Sequence, residues 1–145
     1  MIQIHNDVRY LNDLKKIKCF VLDMDGTFYL GNKIIDGSLQ FIDAVKSKGR
    51  RFMFLTNNSS HDGEYYIEKL SGMGCNITRD QIFTSGEATA IYLNREKKGQ
   101  KVYVLGNQYL KKELVENGVL VAEENPDMVV VGFDTTLTYE KMAKT

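Results

Sequence analysis

The feature that most constrains this chain is a short apolar run, Phe20-Val21-Leu22, that empties directly into Asp23-Met24-Asp25-Gly26-Thr27. Three apolar residues with no polar alternation and a turn residue just beyond predict a strand buried on both faces, as in parallel sheets. Residues two apart on a strand point the same way, and Gly26 signals that the chain turns. Asp23 and Asp25 are therefore expected in the crevice beyond the strand's carboxyl end, where open α/β sheets bind ligands.

Two carboxylates this close disfavour each other's charge unless a cation offsets it, so a site that keeps both ionised implies a metal. Ligands that are all oxygen suit Mg²⁺ better than zinc or copper. With a hard cation present, one carboxylate can act as a nucleophile toward phosphorus and the other can pass a proton to the leaving oxygen. A plain turn is the bland rival, since Asp and Gly are ordinary turn residues. A calcium loop counted from Asp23 fails, because it would put Phe28 where Gly is needed and Ile34 where Glu is needed.

A second corner follows one crossover later. Arg51 to Leu55 is expected as another buried strand, with Thr56-Asn57-Asn58-Ser59-Ser60 at its carboxyl end. A hydroxyl and free backbone amides just ahead of a helix make an anion cradle. The alternative is that Ser59 or Ser60 merely caps the next helix.

The Asp-x-Asp-Gly-Thr motif after a hydrophobic strand resembles the first motif of the haloacid dehalogenase superfamily of phosphotransferases, and Thr56-Asn57 resembles its second. Within that superfamily the chain is most similar to the subgroup related to NagD and 4-nitrophenyl phosphatase. The shared pieces are Ser85-Gly86-Glu87-Ala88-Thr89-Ala90, Val104-Leu105-Gly106, Val130-Val131-Gly132-Phe133-Asp134 and Thr138-Tyr139-Glu140-Lys141. The resemblance implies a Mg²⁺-dependent phosphatase acting on a small phosphorylated metabolite. Asp23 would be the nucleophile and Asp25 the acid, both also holding the metal, while Thr56 and Asn57 would hold the phosphoryl group. It further implies a catalytic lysine and another metal-binding acid after an inserted cap. No residue here matches either, so neither role is assigned. A phosphomutase and a catalytically inactive, phosphate-binding fragment are the alternatives; a carbon–halogen hydrolase has no oxyanion leaving group for Asp25 to protonate.

The remaining chain fits an α/β fold: a parallel Rossmann-like core with three strands, at 1–98, followed by the start of an α/β cap, at 99–145. Helices are expected over 7–18 and 62–71, from Ser38 as its cap to Gly49 with Leu39, Ile42 and Val45 inward, from Gly86 with Ala88, Ile91 and Tyr92 inward, and from Asn107 to Asn117 with Leu110, Leu114 and Val115 inward. Further strands are expected at Ile82 to Ser85, Lys101 to Leu105, Val119 to Ala122 and Met128 to Phe133. Gly72-Met73-Gly74 follows a helix and lacks a third glycine, so it is a helix cap rather than a dinucleotide loop. Tyr29-Leu30-Gly31-Asn32-Lys33 is expected as a loop or short hairpin over the site, and His61, Tyr65 and Tyr66 could face substrate, with core or surface packing the reading placed first.

Lys plus Arg and Asp plus Glu both number 19, a balance that argues against nucleic-acid or membrane-surface partners. Paired lysines such as Lys111-Lys112 are then expected as solvated helix ends. Two isolated cysteines, Cys19 and Cys75, read as reduced buried thiols, and with no basic leader or long apolar run the expectation is a cytoplasmic protein. Loss of outer neighbours from the Phe20 strand would leave an apolar edge through which copies of the chain could associate.

Overall fold

The computed structural model describes residues 13–145; residues 13–16 are helical, and the rest of the helix expected over 7–18 lies mostly outside the described residues. Three strands, β1 (Cys19–Leu22), β4 (Arg51–Thr56) and β5 (Ile82–Thr84), form a parallel sheet in the order β1-β4-β5. Phe20 pairs with Phe52 and Leu22 with Phe54, while Thr56 pairs with Thr84. Between β1 and β4 lie a two-stranded antiparallel hairpin, β2 (Tyr29–Leu30) with β3 (Lys33–Ile34), and helix α1 (Ser38–Ser47). Helix α2 (Gly63–Gly72) and a 3-10 turn at Arg79–Gln81 connect β4 to β5. Each strand is thus followed by a helical crossover, the arrangement that parallel pairing requires.

Helices α1 and α2 pack on the same face of this sheet. Ile42 and Val45 of α1 and Tyr66 and Leu70 of α2 share one core with Phe52 and Phe54. Phe28 meets Phe54 edge-on at 4.8 Å. The expectation that β1 is buried on both faces is therefore corrected: Val21 is 61% exposed, and its β4 neighbour Leu55 is 44% exposed. Phe20 and Leu22 pack inward, but the other side of the sheet is uncovered among the described residues. Ser38 does not cap α1, because Gly37, left-handed at φ 92°, occupies the cap position and makes no side-chain cap bond. Cys75 is buried as expected, whereas Cys19 is exposed on the open strand.

A second parallel sheet, β7-β6-β8, is built from β6 (Lys101–Leu105), β7 (Leu120–Val121) and β8 (Met128–Val131). Helices α3 (Ser85–Glu96), α4 (Gln108–Glu116) and α5 (Tyr139–Ala143) accompany it. Ala90 and Leu93 of α3 pack with Val102, Val104, Leu110 and Leu114 in a second core. The inward face of α3 is thus Gly86, Ala90 and Leu93, not Ala88, Ile91 and Tyr92; Ile91 and Tyr92 are exposed. Small residues win because α4 approaches closely: a Cβ on Gly86 would collide with Glu113 Oε2. On α4, Leu110 and Leu114 are inward as expected, but Glu113 is buried where Val115 was expected. An expected division at 98/99 assigns α3 to the first unit by sequence, while its buried side chains belong to the second core. No helix among the described residues is long and apolar enough to cross a membrane.

Candidate active site

At the exit of β1, Met24 turns inward and is almost fully buried, which leaves its neighbours Asp23 and Asp25 facing outward. The Met24 carbonyl accepts from the amides of Thr27, Phe28 and Tyr29, and the Gly26 amide donates to the Tyr29 carbonyl at 2.7 Å. These bonds close the chain into a tight loop that fixes the direction of both carboxylates. The Thr27 hydroxyl donates to Asp23 Oδ2 at 3.4 Å.

At the exit of β4, Thr56 is buried at 6% exposure, and its Oγ1 accepts from the Asn58 amide at 3.2 Å. Asn58 Oδ1 accepts in turn from the Ser60 amide at 2.9 Å. The corner is thereby shaped by its own side chains before α2 begins. Neither serine caps that helix. Asp62 does, accepting from the Tyr65 amide at 3.0 Å. Ser59 Oγ instead accepts from the Phe133 amide at 2.8 Å, and the Ser60 carbonyl accepts from Asn107 Nδ2 at 2.7 Å. The cradle loop is therefore pinned from the second sheet. Lys112 joins this seam, donating to Asp62 at 3.0 Å and Glu64 at 2.6 Å, rather than standing as a solvated helix end.

Asp23, Asp25, Thr56 and Asn57, from the ends of two adjacent strands, line one cavity of ≈ 340 Å³. Its other walls are Tyr29 of the hairpin, Asn58 of the corner, and His61, Tyr65, Tyr66 and Lys69 from α2 and the turn before it; of these, sequence reasoning missed Lys69 and put packing ahead of facing the substrate for His61, Tyr65 and Tyr66. His61 and Tyr65 do pack, stacked at 3.7 Å between centroids, yet they also face the cavity. The spacing of Tyr65, Tyr66 and Lys69 is the signal that could have found them, since residues three and four apart share a helix face.

Burial, with the nearby Tyr66 and Asp25 adding to it, pushes the Tyr29 phenol well above its usual range, so it stays neutral. Burial also raises Tyr66, against a lowering hydrogen bond from Thr56. His61 is lowered, by burial first and then by the Lys69 charge, against a smaller raising effect of Asp62. A neutral imidazole is the result at ordinary pH, its Nδ1 3.0 Å from Ser60 Oγ.

For a metal, the cavity offers two carboxylates and no thiolate, and the His61 imidazole in its wall has Nδ1 engaged with Ser60 Oγ. Among the described residues no group of three or more His, Cys, Asp or Glu comes together. Oxygen donors few in number suit a hard cation that keeps most of its water, as Mg²⁺ does.

Comparison with known proteins finds relatives that match most of the chain. The chain is 40% identical over 131 residues to the acid sugar phosphatase of Staphylococcus aureus, covering 90% of this chain and 51% of that protein. It is similar in structure to 4-nitrophenylphosphatase from Thermotoga maritima, with a TM-score of 0.86 and 46% identity over 90% of this chain and 50% of that one. A glycerol phosphate phosphatase from Mycobacterium tuberculosis, solved in complex with magnesium, gives a TM-score of 0.80 and 25% identity over 90% of this chain and 40% of that one. The chain spans about half the length of the curated relatives it matches. The family model for haloacid dehalogenase-like hydrolases matches residues 20–120, and the chain belongs to that family.

Proposed function

We propose that this chain carries the nucleophile half of a phosphatase site that takes small phosphomonoesters. The observation that carries the reading is the meeting of Asp23, Asp25, Thr56 and Asn57 around a single cavity at adjacent strand ends. An Asp23 carboxylate oxygen would form a bond to phosphorus as the ester P–O bond breaks, and Asp25 would give its proton to the leaving oxygen. A water deprotonated by Asp25 would then attack phosphorus and free Asp23. The Thr56 hydroxyl and the Asn57 amide would hold the equatorial oxygens, whose charge is most of what phosphoryl transfer must stabilise. Asp23 and Asp25 would hold Mg²⁺, which supplies positive charge against the dianion. In the same reading residues 1–98 carry the chemistry and 99–145 begin a cap that helps choose the substrate. The relatives are named for different substrates, so the reading stops at a small phosphomonoester.

A second reading is a phosphate-binding unit that turns nothing over. It is favoured by the short metal-ligand set among the described residues. Two carboxylates facing a phosphate dianion repel it by about 4 kcal/mol per unit-charge pair near 4 Å at an effective dielectric of 20. We expect p-nitrophenyl phosphate turnover with Mg²⁺ by this chain alone to be far below that of a complete phosphatase.

Beryllofluoride, an acyl-phosphate mimic, separates the nucleophile assignment from turnover. With Mg²⁺ present, ¹⁹F NMR should show a protein-bound signal for the natural chain and none for Asp23→Asn. A bound signal of equal intensity on the variant would remove Asp23 from the role.

A further inference from the structure

Among the described residues Lys69 is the one lysine or arginine lining the candidate site, and neither the sequence motifs nor the proposed chemistry gives it work. It lies on α2, four residues after Tyr65 and three after Tyr66, so the helix turns all three toward the cavity. Its Nζ sits 4.2 Å from the centroid of the Tyr29 ring. That ring is fixed, because Tyr29 is buried and its amide donates to the Met24 carbonyl at 3.1 Å. Lys111, Lys112 and Lys141 each reach a carboxylate, whereas Lys69 forms no ion pair among the described residues. Asp23 and Asp25 line the same cavity, yet neither comes within ion-pair reach of it. An ammonium resting on an aromatic face keeps its hydrogen-bonding protons unspent, and such a contact is weak enough to give way to a true anion.

We propose that Lys69 is a specificity-determining residue that binds the substrate's phosphoryl oxygens, so that the cavity selects dianionic phosphomonoesters over esters carrying less charge. The inference rests on the phosphatase reading of the same cavity. Two acids alone make the cavity hostile to an incoming dianion; a lysine drawn from the Tyr29 ring to the phosphate supplies an opposing charge from this chain's own residues. Since the ring is stationary and the lysine stem is long, the shift needs only side-chain rotation.

The test is a titration of the full chain with inorganic phosphate in Mg²⁺ at fixed ionic strength, followed by the amide resonances of Thr56 and Asn57. Lys69→Met should weaken phosphate binding about tenfold, and Lys69→Arg, which keeps the charge, should restore most of it. Thr56→Val serves as the control for the cradle itself. If Lys69→Met binds phosphate as tightly as the natural chain while Thr56→Val does not, the phosphate site stands and the assignment of Lys69 fails. If phosphate leaves the Thr56 and Asn57 resonances of the natural chain unmoved, the phosphatase reading fails and takes the assignment with it.

Discussion

Glu113 is the residue whose chemistry is most at odds with its place. It is 4% exposed, and its carboxylate accepts one side-chain bond, from the Thr84 hydroxyl at 2.7 Å, while Thr84 itself accepts from the Glu87 amide. Gly86 is what makes room for it, since any Cβ there would collide with the carboxylate. Burial raises Glu113 above its ordinary value of 4.5, against the lowering effects of Thr84 and Arg79. The folded chain therefore keeps a proton at pH values where the unfolded chain has already released it. Stability from this group falls as pH climbs from the ordinary value through the raised one, then levels off. Glu113→Gln cannot titrate, so its stability relative to the natural chain should improve with rising pH across that window. Urea denaturation of both proteins at several pH values from about 4.5 to 7.5 checks this, and parallel curves would remove the burial argument.

Among the elements, α2 carries the most cavity wall and depends on one side chain at its start. Asp62 caps the helix and receives Lys112 across the seam with the second sheet. Asp62→Ala should cost about 1–2 kcal/mol of unfolding free energy, mostly from the lost cap. Lys112→Met should cost less, because that lysine is 45% exposed and its pairs are screened. Equal losses in chemical denaturation would show that the seam outweighs the cap. The sequence offered Ser59 or Ser60 as the cap and not Asp62; Ser59 is instead claimed by the amide of Phe133, 74 residues away. Distance in the chain also explains the α3 face. Periodicity favours large apolar residues such as Ile91 and Tyr92, whereas close approach of α4 selects Gly86 and Ala90. The parallel strands and the corners at Asp23-Asp25 and Thr56-Asn57 were legible because they are local events at strand ends. Lys69 was not, and the sequence puts packing first for His61, because a helix must fold over those corners before either side chain meets the cavity.

At the scale of the whole molecule, the first sheet is covered on one side only among the described residues. β1 is an edge strand, and Val21 and Leu55 stand on the open face beside Met53, which pairs with Val21. The second sheet has a similar edge in β8, where Val131 is 70% exposed and Phe133 just beyond it 64%. An apolar face next to an unpaired strand is a template for another chain. Association of two copies through it would hide apolar surface at roughly 25 cal/mol per Å², and a stable interface needs about 1,200 Å² or more. Placing a lysine at Val21 puts a charge in the middle of any such contact while leaving the inward core of Phe20 and Leu22 untouched. We expect light scattering after size exclusion to give a mass that rises with concentration for the natural chain and stays monomeric for Val21→Lys, with unchanged helical circular dichroism. A natural chain that remains monomeric at about 1 mM would mean that twist and the flanking charges of Arg51 and Lys18 suffice to protect the edge.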